Sequence, residues 1–370
     1  MGTSTREGDG NIDARSEPTA QALEALAAQS AVLTGYAGAT HTVETAPFLR
    51  RDDLVIRGNG ARLRNTNATP WTTNDFVTAA LPLGTSDLLA VTRLTLDTIA
   101  AVNGNVVSLP AGAGLRYAPS GHFYCRGDIE HSYPSGALTF RVPRNVKRGR
   151  ILAVEGDDLT LDCALPAELL ADNPKIGTTA EDVDASIAGQ KLYFLYRPRI
   201  SNFTLTSDQG EAAKMGGIIG GVIRDLHVEA VNGFGLGGLE RTLVENVTFL
   251  AHRKIAEIAE CSNGVVYRNF HGTLVDGPGA PAPFFIQIGE NSTDCLMEWL
   301  NVSCGGLDCG TASNACALQS GRRNTIRNST LDFRGHSGTL TALQCFATAG
   351  NSCDDSGYRD LTVLGQAPLQ

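Results

Sequence analysis

The sequence predicts an all-β chain wound as a right-handed, single-stranded parallel β-helix, with an N-terminal capping helix and a small antiparallel β-rich insertion. Three observations lead there. A polar residue followed by a short apolar alternation recurs, as Ser201-Asn202-Phe203-Thr204-Leu205, Arg224-Asp225-Leu226-His227-Val228 and Glu245-Asn246-Val247-Thr248-Phe249. The steps from Asn202 to Asp225, Asn246 and Asn269 are 23, 21 and 23 residues, a period that belongs to solenoids. Glycine is abundant, at 41 residues, while aromatic residues make up only 6%. That pairing suits tight turns and small stacked side chains rather than a helical bundle.

Residues 1–16 are polar and are expected to form a disordered tail. Residues 17–70 hold the capping helix and the first coils. The helix is read over 18–30, where PTAQALEALAAQS is amphipathic. It would close the core end, which otherwise presents bare strand edges. Gly58-Asn59-Gly60 has the look of a phosphate loop, but no helical pattern follows it.

Residues 71–200 break the repeat. Within them 99–109 and 151–161 match each other as strand, glycine-containing turn and strand, and predict the antiparallel insertion.

Residues 201–370 form the main β-helix. Arg268-Asn269-Phe270, a shifted Leu300-Asn301-Val302, Arg327-Asn328-Ser329 and Arg359-Asp360-Leu361 continue the series. A leucine-rich repeat is excluded, because there is neither a fixed leucine lattice nor a helix per repeat. Each coil reads as three strands. In the third coil these are 255–261, a turn at Ser262-Asn263-Gly264, 265–268, a bend at Asn269, and 270–274. Asn and Asp suit that bend because they tolerate left-handed backbone and bond to nearby groups.

The net charge of −9 argues against a general nucleic-acid binder. No apolar run approaches the length needed to span a bilayer. The opening residues lack a signal-peptide core, which leaves two readings open, a protein not exported by that route and a secreted or extracellular one whose signal lies outside this chain; the second is the expectation. Six of the nine cysteines lie between Cys295 and Cys353, with no CxxC pair. They read as small core residues or a few disulfides, and no metal or cofactor is predicted.

The Asn/Asp bend between short β-runs resembles the pectate-lyase-like parallel β-helix superfamily of carbohydrate-active enzymes and tailspikes. The resemblance covers about 201–370, and 46–61 are similar to its opening coils. It implies a poly- or oligosaccharide partner, a homotrimer if the chain is tailspike-like, and a groove along the sheet that precedes the Ser/Asn/Gly turn. On that sheet Glu257-Ile258-Ala259-Glu260 aligns with Gln287-Ile288-Gly289-Glu290, and Leu318-Gln319 with Leu343-Gln344. Glu257, Gln287, Gln319 and Gln344 are therefore expected in one polar row, and Glu260 and Glu290 in another near Glu240. A solvated sheet face explains the same rows.

Glycoside hydrolysis needs paired carboxylates, one of them kept protonated. Glu240, Glu257, Glu260 and Glu290 are the candidates, with Asp208 and Glu211 from a side loop. A lyase or epimerase needs a base and a cation for a uronate. His252, Arg253 and Lys254, read as a loop before the Glu257 strand, are the candidates for that. Tyr196 is expected to line the groove, whereas Trp299 reads as core packing. The specific polygalacturonase, pectate lyase and alginate epimerase signatures are absent, so hydrolase or transferase, lyase or epimerase, and non-catalytic glycan-binding module all stand as readings.

Overall fold

A computed structural model describes residues 9–11, 29–43, 51–65, 77–78, 95–135, 138–178, 194–259, 261–275, 284–289, 291–304, 313–334, 340–346 and 353–365. The chain is a parallel β-helix carrying an antiparallel insertion. Most of the capping-helix segment lies outside the described residues. Within the tail expected to be disordered, Asp9–Asn11 pairs in parallel with Val32–Thr34 and so extends the sheet.

Each coil has three faces. Face A is formed by 199–201, 222–224, 243–245, 266–268, 296–298, 325–327 and 357–359, and face B by the residues after the bend, such as 226–230, 247–251 and 270–274. Face C runs through 213–216, 234–237, 256–258, 284–288, 313–319 and 340–346. A short ladder turns from C back to A: Tyr196, Ile219, Glu240, Asn263, Thr293, Arg322 and Asp354 follow one another in register.

Between A and B the chain bends through left-handed backbone at Asn202, Asp225, Asn246, Asn269, Asn328 and Asp360. In the coil between Asn269 and Asn328 the bend falls on Trp299, with φ 55°. The expected Leu300-Asn301-Val302 alignment is thus corrected: Asn301 lies in the strand, opposite His271. Trp299 is 50% exposed, not packed in the core.

Stacking identical phases of the repeat builds the core. Ile56, Ile200, Ile223, Val244, Tyr267, Met297 and Ile326 form one inward column, all buried. Where bulky rings of adjacent coils meet, Phe249 and Phe270 stand edge to face at 5.6 Å. Gly272 leaves room for a core neighbour, since a Cβ there would come within 2.9 Å of the Ile255 side chain. Cys295, Cys304 and Cys316 are buried core residues, and the eight described cysteines are free thiols.

The insertion is narrower than 71–200. Val77–Thr78 already pairs with 215–216 of face C, and Leu195–Tyr196 belongs to the short ladder. Between them a seven-stranded antiparallel sheet encloses its own core of Val107, Phe123, Ile151, Leu159 and Ile176. The two matching segments form the expected hairpins, turning at Gly104 and Gly156, both with φ 63°. They pair with each other through Val107 and Leu159.

Candidate functional site

The register decides which residues share a row. On face C, Glu257 stands opposite Gln287, and Ile258 opposite Ile288, as the sequence alignment expects. Ala256 and Ile258 are fully buried, so Glu257 points outward between them and is half-buried. Gln287 is covered to 4% exposure. The row continues through Ala317 to Gln344 and in the other direction through Gly235 to Lys214.

Gln319 does not belong to this row. It stands opposite Phe346, two residues further along, while Gln344 faces Ala317. Matching the Leu-Gln dipeptides slipped the register by two. Such a slip keeps every side chain on its own face, so alternation cannot detect it. Glu260 and Glu290 lie outside the described residues.

Glu240 is placed elsewhere. It sits on the short ladder, 0% exposed, beneath the insertion. Lys147 Nζ donates to its Oε1 at 2.5 Å and Asn263 Nδ2 to its Oε2 at 3.1 Å. Its partners come from a segment whose docking carries no periodic signal, so the repeat pattern misplaced it into the groove.

Tyr196 is also at this junction. Its hydroxyl donates to Asp162 at 3.2 Å and its ring lies under the Arg150 guanidinium, 5.2 Å from the centroid. Burial and the neighbouring Asp162 raise its phenol pKa. It lines the insertion contact rather than face C.

The basic candidates are not in a loop. His252, Arg253 and Lys254 lie within one continuous strand, Leu243–Ala259. The register passes from Ala230–Ala251 to Asn232–Lys254, which leaves one extra residue on this strand. Such bulges re-aim side chains. His252 Nδ1 is 3.3 Å from the Val275 carbonyl oxygen. Asn232 separates Lys254 from Glu211 on one row. Asp208 falls in the irregular stretch between Ser207 and Glu211 of strand Arg199–Gly216 rather than in a side loop.

Face B carries a cluster that the sequence reading did not single out. Thr248 Oγ1 is 2.7 Å from His227 Nδ1, and His227 Nε2 is 2.9 Å from Glu229 Oε1. Arg62 pairs with the other Glu229 oxygen at 3.4 Å. The available signal was His227-Val228-Glu229, an alternation that puts both polar groups outward, with Thr248 at the same phase one coil on. His271 and Asn301 extend this row. Among the described residues no cluster of three or more His, Cys, Asp or Glu is arranged to hold a metal ion.

No family model matches the chain, and no curated protein matches it. Solved structures do. The tailspike gp49 of Pseudomonas phage LKA1 is 12% identical, covering 91% of this chain and 72% of that one with a TM-score of 0.33. The tailspike gp61 of Pseudomonas phage phi297 is 10% identical, covering 91% and 73% at 0.35. The gp54 tailspike of Acinetobacter baumannii phage AP22, solved with A. baumannii capsular saccharide, is 8% identical, covering 88% and 71% at 0.30. Likenesses this distant leave the function to be argued from this chain's own residues.

Proposed function

We propose that the protein binds a poly- or oligosaccharide along face C and cleaves or transfers its glycosidic bonds through carboxylates. The observation that supports this is the direct register of Glu257 with Gln287, outward from a buried column. Neighbouring rungs are about 4.8 Å apart, so the half-buried Glu257 carboxylate begins a row in which Gln287 is covered and Gln344 follows in register along the direction of an extended polymer. Glu257 is one member of the carboxylate pair. Glu260 and Glu290, each three residues beyond a row member in sequence, are the candidates for the other. A spacing near 5 Å would give the retaining geometry.

A β-elimination reading is favoured by one feature, the bulge that sets Lys254 on a row with Glu211. There Lys254 or His252 would act as base and Arg253 would face the uronate carboxylate.

The test is a screen against neutral and uronate polysaccharides that reads new reducing ends and the absorbance of unsaturated uronates together. Reducing ends without that absorbance, lost in E257Q/E260Q, are the expected result. Absorbance that rises with cleavage and is lost in K254A moves the chemistry to the bulge. Binding without either product assigns the protein as a non-catalytic glycan module.

A further inference from the structure

The A–B bend is occupied almost throughout by residues that take left-handed backbone cheaply. Asn246 Nδ2 donates to Asp225 Oδ1 at 3.0 Å and Asn269 Nδ2 to Asn246 Oδ1 at 2.6 Å, so the side chains form a ladder up the molecule. Trp299 takes the next rung, and an indole cannot continue an amide ladder. A bulky aromatic residue with φ 55° is a true backbone outlier. Core burial does not compensate it, because half of the side chain stays exposed. On stability grounds alone Asn would serve this position better. Strain of this kind is characteristic of ligand-binding positions.

The surroundings indicate what the ring meets. One residue before it, Glu298 accepts two bonds from Arg327, at 2.9 and 2.8 Å. Those two charges are engaged with each other, so the ion pair next to the ring is already neutralised. Two residues after it, exposed Asn301 stands between His271 on one rung and Thr330 on the other. A half-exposed indole, with an amide, an imidazole and a hydroxyl two residues along on successive rungs, suits a pyranose ring, whose C–H face stacks on an aromatic ring while its hydroxyls bond to polar groups nearby.

We infer that Trp299 is the stacking platform of a second glycan-binding site, for a neutral sugar ring, on the A–B edge and separate from the face C row. The inference rests on the reading that the ligand is a glycan, but not on any catalytic residue.

The experiment compares the full-length wild type, W299N and W299F on an array of immobilised neutral and acidic polysaccharides, with melting temperature and sedimentation mass measured on each. W299N is expected to melt a few degrees higher, by about the relief of one strained residue, and to lose about tenfold in affinity for a neutral glycan. W299F, which keeps a ring, retains most of the binding. Unchanged binding by W299N overturns the platform while leaving face C intact. A wild type that binds no glycan overturns both readings. A lower melting temperature in W299N, or a change in mass in place of a change in binding, makes Trp299 a structural or subunit-contact residue and overturns the proposal.

Discussion

Asn269 hands its side-chain amide to Asn246, 23 residues earlier, at 2.6 Å, while its own backbone holds φ 55°. One residue thus satisfies both a backbone demand and a coil-to-coil bond. N269A loses both and is expected to cost about 1–2 kcal/mol. N269G keeps the cheap left-handed backbone and loses only the bond, so it costs less. Urea denaturation of the two variants separates the contributions.

Glu240 is an ion buried beneath the insertion and held by Lys147 and Asn263. Removing one partner of such a pair strands the other, so E240A is expected to destabilise by about 3–5 kcal/mol. The double variant E240A/K147M recovers part of that loss. Limited proteolysis checks where the change is felt, with cleavage around the insertion appearing in E240A and receding in the double variant.

His131 lies buried against the same junction, its Nδ1 2.7 Å from Asn291 Oδ1. Burial lowers its pKa below 6.5, partly opposed by the Asn291 bond. His41 is lowered by burial too. In the unfolded chain these groups take up protons near 6.5, but in the fold they do so only at lower pH. Between those values the unfolded state binds more protons, so stability falls as the pH falls. The melting temperature is expected to be level above about pH 7 and to decline on acidification through 6.5. H131N flattens part of that decline.

Cys345 is exposed, and a hydrogen bond with Cys353 lowers its thiol to about 7. Burial pushes Cys295 up to about 12 and raises Cys125 and Cys316 as well. Iodoacetamide at neutral pH is expected to modify Cys345 ahead of these core thiols, because the thiolate is the reactive form. C353S slows that modification. Peptide mapping by mass spectrometry reads both outcomes.

The coil period and the bend chemistry were legible because each Asn or Asp at the bend follows from a local backbone requirement. Trp299 was misread for the same reason: its coil was aligned on the nearest asparagine, Asn301, whereas the bend lies two residues earlier. Glu257 and Gln287 were placed correctly because four consecutive residues matched between their coils. Gln319 was not, since a dipeptide match is blind to a two-residue slip. Glu240 and Tyr196 took their surroundings from Lys147, Asp162 and Arg150 of the insertion. No repeat within the coils records that contact. The His227–Thr248 bond spans two coils and emerges only when they are stacked.

The insertion touches the short ladder along its length: Asp162 at Tyr196, Lys147 at Glu240, Val146 at Asn263, Asn145 at Arg322 and Arg144 at Asp354. A solenoid left to itself is a stack of nearest neighbours that can peel open one layer at a time from either end. A strut fastened lengthwise across the layers ties the layer of Tyr196 to that of Asp354, so neither can loosen without releasing its fastening. What was a column of separable layers becomes one cooperative body.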